Sequence, residues 1–127
     1  MATESNDVVT TVRKSYDAYF SRKRDVAEAL MADNFRFTSP YDNGIDREAF
    51  FSRCWPGGDN VSEFRIERMV PDGDSAYVTY LFTRKDGTAS RNTEYVTVAN
   101  GQVTHVEVFF GANFANGRFV SQEPAKS

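Results

Sequence analysis

Glu94 is a carboxylate on a strand face otherwise built from one amide and apolar side chains. Alternation over Asn92-Thr93-Glu94-Tyr95-Val96-Thr97-Val98 puts Asn92, Glu94, Val96 and Val98 on one side. Thr93, Tyr95 and Thr97 share the other. If the first side points inward, the carboxylate leaves water, which costs free energy unless it is hydrogen-bonded, paired or protonated. Acids of this kind gather in ligand and catalytic pockets, and they also serve as structural anchors tied to a neighbour such as Asn92, Tyr80 or an arginine. Beside tyrosine hydroxyls the pKa of Glu94 is expected to rise, which suits it to donate a proton to a ligand oxygen or share one with it.

Whether Glu94 faces inward depends on two glycine turns, Asp86-Gly87 and Asn100-Gly101. A one-residue change in loop length swaps the faces of the strands they join. Two-residue loops would set Glu94 opposite Thr79 and Glu107, an unfavourable like-charge pair. Three-residue loops set it opposite Val78 and Val106, with Asn92 opposite Tyr80 and Val108. That register collects an apolar face containing Val78, Tyr80, Phe82, Val96, Val98 and Phe110, as an antiparallel sheet with one side on a core requires. The opposite face carries Tyr77, Tyr95, His105, Glu107 and Phe109. The three-residue register is chosen, Glu94 goes inside, and the outer rings are read as a homodimer patch. His105, the single histidine, is accordingly a surface or interface residue, and Arg91 points outward.

The elements that must hold these groups follow from pattern. Asp7 is expected to cap a helix to about Ser21, with Val8, Val12, Tyr16, Tyr19 and Phe20 on one stripe. The basic run Arg22-Lys23-Arg24 reads as a solvated turn. Val26, Ala29, Leu30 and Met31 predict a short second helix, and Phe35–Ser39 a strand that stops at Pro40. Asp42-Asn43-Gly44 reads as a turn, and Asp46 as the N-cap of a third helix, Arg47–Cys54. Strands over Val61–Val70, Ala76–Arg84, Ala89–Ala99 and Val103–Phe110 complete a meander. The expected class is α+β, a cone-like barrel with three N-terminal helices packed on a strongly curved, mostly antiparallel sheet. Residues 1–6 are expected to be flexible, 7–114 to form the domain, and 115–127 to be a polar, frayed tail.

Composition narrows the function classes. The chain has 127 residues, enough for one core, and eleven Phe with six Tyr favour a ring-lined interior. Net charge is −3 with both signs interspersed, so the basic footprint of a nucleic-acid binder is missing. With one Cys and one His, zinc or haem chemistry is not expected, and no cofactor is. Cys54 reads as a small apolar residue. No stretch approaches the ~20 apolar residues of a membrane helix, and the polar start lacks a signal-peptide core, so a cytoplasmic location is expected.

Several segments resemble the nuclear transport factor 2-like superfamily, in its SnoaL-like and ketosteroid-isomerase-like branch. They are Phe37-Thr38-Ser39-Pro40-Tyr41-Asp42, Ile45-Asp46-Arg47-Glu48-Ala49-Phe50-Phe51, Arg91-Asn92-Thr93-Glu94 and the run from Asn100 to Gly111. The resemblance implies a pocket opening between the curved sheet and the first helix, and a sheet-to-sheet homodimer. Ketosteroid isomerases place a general-base Asp before the proline that ends the first strand, where this chain has Ser39. Their protonated pocket Asp matches Glu94, and their helix-one tyrosine matches Ser15, next to Tyr16.

The candidate catalytic groups are therefore Glu94, Tyr80 and Asp42, the last at the pocket mouth, where a turn residue bonding its own backbone is the plainer expectation. Tyr16, Tyr19, Phe37, Ser39, Asn92, Val106, Val108 and Phe110 are candidates to line a ligand site, with Trp55 as a lid before Pro56-Gly57-Gly58. The leading expectation is a small apolar organic ligand and cofactor-independent proton transfer of the isomerase, cyclase or dehydratase type. Its rival is a non-catalytic dimeric binding or scaffold module with a filled cavity.

Overall fold

No glycine or proline interrupts residues 2–20, and there the chain forms one helix, α1 (Ala2–Phe20). The computed structural model describes residues 2–122, with side chains from residue 7 onward. Asp7 thus lies inside the helix instead of capping it. Residue 1 and the last five of the expected tail lie outside the described residues. Val8, Val12 and Tyr16 are buried along one stripe, as their spacing requires.

Helix α2 (Arg24–Ala29) turns a different side inward from the one its sequence implied. Ala27 is buried, whereas Val26 is 46% exposed and Met31 already belongs to a strand. That strand, β1 (Met31–Ser39), is followed by a short β2 (Asp42–Asp46), which replaces the turn expected at Asp42-Asn43-Gly44. Asp46 then caps α3 (Arg47–Arg53), its Oδ1 accepting from the Ala49 amide at 2.9 Å. A 3-10 helix, Trp55–Asn60, leads into the meander β3 (Val61–Asp72), β4 (Ser75–Arg84), β5 (Ala89–Ala99) and β6 (Gln102–Phe109).

These six strands run in the order β2-β1-β6-β5-β4-β3 through one curved, unclosed sheet, with β1 parallel to β6. Between β4 and β5 the Arg84 amide donates to the Thr88 carbonyl at 2.7 Å, closing a three-residue loop with Gly87 at φ 91°, and Val78 lies opposite Glu94, Tyr80 opposite Asn92. The β5–β6 turn corrects the expected loop. Asn100 and Gly101 both take positive φ in a two-residue turn, and Ala99 pairs with Gln102. A register shift between Thr97 and Val98 then restores the parity, so Glu94 faces Val108 instead of Val106. The bulge keeps Glu94 on the inner face and away from Glu107.

The expected frayed tail is also corrected. Strands β7 (Asn113–Ala115) and β8 (Arg118–Ser121) form a hairpin around Asn116-Gly117, again both at positive φ, and β7 pairs with β5. This hairpin covers the β5 edge that β6 leaves as it ends.

Candidate functional site

Helix α1 crosses the concave face of the sheet, and Tyr16 comes down from it onto Glu94. The Tyr16 hydroxyl donates to Glu94 Oε1 at 2.5 Å, and the Tyr80 hydroxyl donates to Oε2 at 2.6 Å. The two rings meet edge to face, with centroids 5.4 Å apart. Asn92 Nδ2 donates to the Tyr80 oxygen at 3.3 Å, while its Oδ1 accepts from the Gly111 amide at 3.0 Å. Asn92 therefore orients Tyr80 instead of offering a free amide to a ligand.

Burial is the largest influence on all three titratable groups. It raises the Glu94 carboxyl above its ordinary value, against the opposing pull of the two tyrosine hydrogen bonds. It also drives Tyr16 and Tyr80 well above theirs, with the nearby Glu94 charge adding to the effect. The tyrosines consequently remain protonated donors, and the group that can change state is the carboxylate.

Glu94 keeps contactable surface because it borders a cavity of about 550 Å³. Every candidate residue named from the sequence lines it. Phe37, Val106, Val108 and Phe110 supply apolar wall from β1, β6 and the segment after it. Tyr19 donates to the Cys54 carbonyl at 3.0 Å and packs edge-on against Trp55 at 5.2 Å. Trp55 is buried under Arg22, whose guanidinium carbon sits 4.2 Å from its ring. It is a wall held in place, not an exposed flap.

At the other side Ser39 and Asp42 meet. Ser39 Oγ donates to Asp42 Oδ2 at 3.1 Å, and Arg53 Nη2 lies 2.7 Å from Asp42 Oδ1. Asp42 is buried, so the expectation of a turn residue bonding its own backbone gives way to a carboxylate held by a hydroxyl and a guanidinium. Burial, with Asp42 nearby, pushes the Cys54 thiol up to about 12, in keeping with an unreactive wall residue.

Ser15, the match implied for the helix-one tyrosine, only bonds the Val12 carbonyl of its own helix. Tyr16, one position on, makes the contact. His105 is on the outer face, 3.5 Å from Thr38 Oγ1, and exposed Arg91 pairs with Glu67 at 2.7 Å.

Sequence reasoning missed Arg84. It continues the inward alternation Val78-Tyr80-Phe82, which was a sufficient signal, and it is buried on the cavity wall. Arg84 Nη2 donates to Ser90 Oγ at 3.0 Å and Nη1 to Thr88 Oγ1 at 3.3 Å. Ser90 in turn donates to Asn113 Oδ1 at 2.7 Å, tying this end of the cavity to the C-terminal hairpin.

Comparison with known proteins agrees with this architecture. No functionally curated protein matches the chain. Among solved structures, a proposed ketosteroid isomerase from Kribbella flavida superposes with TM-score 0.73 at 21% identity, covering 96% of this chain and 93% of that one. A nuclear transport factor 2-like protein of unknown function from Burkholderia xenovorans gives 0.71 at 16%, over 88% and 89%. A proposed SnoaL-like polyketide cyclase from Jannaschia gives 0.69 at 20%, over 84% and 86%. At such identities the likeness is one of fold. The SnoaL-like domain profile matches residues 12–122, from the middle of α1 through the closing hairpin. By that match and by its curved sheet beneath a crossing helix, the chain belongs to the SnoaL-like domain family of the nuclear transport factor 2-like superfamily.

Proposed function

We propose that the protein binds an apolar, ring-bearing small molecule in this cavity and catalyses proton transfer on it, with Glu94 as the group that carries the proton. The chemistry is of the isomerase, cyclase or dehydratase type. The observation behind this reading is the convergence of two tyrosine hydroxyls on one carboxylate that still borders open space. A carboxyl with a raised pKa exchanges protons nearer neutrality, and the two tyrosines can turn their donors to a ligand oxygen as charge develops there. The names given to the Kribbella and Jannaschia proteins favour the same reaction types.

Asp42 gives the site a second carboxylate beside Ser39, where the ketosteroid isomerase pattern has its base. A cavity of about 550 Å³ argues against a scaffold that fills its own interior, since drug-sized ligands occupy roughly 300–1,000 Å³.

The test is exchange of α-hydrogens for deuterium in ring ketones and lactones, followed by proton NMR. The protein should accelerate exchange, and Glu94→Gln should lose about 10²-fold or more with its fold intact. Unchanged exchange in that variant would remove Glu94 from the chemistry.

A further inference from the structure

Among the described residues, Arg84 is a buried cation whose hydrogen-bond partners are neutral. It is 7% exposed, and its guanidinium meets the Ser90 and Thr88 hydroxyls and the ring of Phe82, 4.7 Å from the guanidinium carbon. Among the described residues no carboxylate lies within ion-pair distance of it. The charge of Asp86 acts on it from solvent, and that carboxylate is exposed and already accepts from the Thr88 amide and hydroxyl at 2.9 and 2.7 Å. Glu94 is held by its tyrosines. An arginine stays protonated, so among the described residues this guanidinium is buried without a paired carboxylate, an arrangement that costs free energy unless a ligand supplies one.

The surroundings of Arg84 are built, not incidental. Ser90 is 1% exposed and hydrogen-bonds both to Arg84 and to Asn113, and Asn113 Nδ2 reaches Ser121 Oγ at 2.8 Å. Arg84, Ser90, Asn92 and Asn113 form one polar patch on the cavity wall, apart from the Ser39–Asp42–Arg53 cluster, in which Arg53 is already paired with Asp42.

We propose that this patch seats a carboxylate of the ligand, so that the substrate class is a ring-bearing carboxylic acid lying between Arg84 and the Glu94 cluster. A single guanidinium matches a single negative charge. A phosphate dianion would bring a second, uncompensated charge into an apolar pocket that already holds Glu94. The inference rests on the cavity being a ligand site, as proposed above.

Calorimetry with a hydroxynaphthoic acid, its carboxamide and naphthol tests both readings separately. The acid should bind about tenfold or more tightly than the carboxamide. Arg84→Met should erase that preference while leaving naphthol affinity unchanged, and Arg84→Lys should keep part of it. Naphthol binding without any preference for the acid overturns the carboxylate assignment and leaves the pocket reading standing. Failure of all three probes to bind overturns both. If Arg84→Met does not fold, the acid-to-carboxamide ratio in the unaltered protein and in Arg84→Lys decides the matter.

Discussion

Tyr16 and Glu94 are 78 residues apart in the chain and joined by one 2.5 Å hydrogen bond. That bond links α1 to the middle of the sheet through a group that burial would rather keep neutral. The hydroxyl stabilises the charged carboxylate, opposing desolvation. Tyr16→Phe removes the donor and leaves the ring packing nearly as it was. The Glu94 pKa should then rise further, read by carbon NMR titration of its side-chain carboxyl with Glu94→Gln to assign the signal. A fall in pKa would show that Tyr16 acts through something other than this bond.

Stability should depend on pH through the same carboxyl. A carboxyl that holds its proton more tightly folded than unfolded adds stability below its unfolded pKa of about 4.3. That contribution is lost as pH rises through the higher folded value, because the native state is then forced to release a proton it favours. Glu94→Gln has no such proton to lose. In urea melts taken from about pH 4 upward, the variant should gain on the original protein as pH rises. Parallel pH profiles would mean that the folded carboxyl titrates as it does in the unfolded chain.

Gly111 is fixed by a close approach of backbone, not by its dihedral angles. A Cβ there would come within van der Waals overlap of the Arg91 carbonyl oxygen, a main-chain atom of β5 that cannot swing aside. The Gly111 amide also holds Asn92 Oδ1, and Asn92 holds Tyr80. Gly111→Ala should therefore cost about 1–3 kcal/mol in denaturant melts. It should also shift the carboxyl signal of Glu94, three links away. A loss of stability with no change at Glu94 would separate the packing of Gly111 from any support of the site.

Periodicity carried most of the architecture into the sequence. The alternation of β4 and β5 sets Val78 against Glu94, and the Asp46 cap starts α3 where expected. What escaped depended on two-residue details or on tertiary packing. The inward side of α2 is chosen by what lies beneath Ala27, which no helical stripe of six residues can specify. The Asn100-Gly101 loop is two residues long, and only a bulge at Thr97-Val98 rescues the inner face, a compensation without a sequence signature. Asn116-Gly117 carried a hairpin signal as strong as that of Asn100-Gly101, yet the polar residues around it masked the strands. In the candidate site, pattern put Glu94 on the inner face, but the choice of Tyr16 over Ser15 needed the register of α1 on the sheet.

The outer face of the sheet yields the last prediction. Tyr77 and Phe109 are 46% and 52% exposed, and Tyr77 packs on Tyr95 with ring centroids 4.6 Å apart. Rings clustered on one open sheet face are apolar surface that a second sheet would remove from water. We infer that two copies of the chain pair through this face. Replacing both Tyr77 and Phe109 with lysine puts like charges at the centre of such an interface, where desolvation makes them most costly. Light scattering should report a dimer for the original protein and a monomer for the double variant. Because these side chains point away from the cavity, naphthol affinity should survive the change. A monomer in the original protein would overturn the interface, and a variant that loses both pairing and ligand would mean that the sheet's curvature depends on its partner.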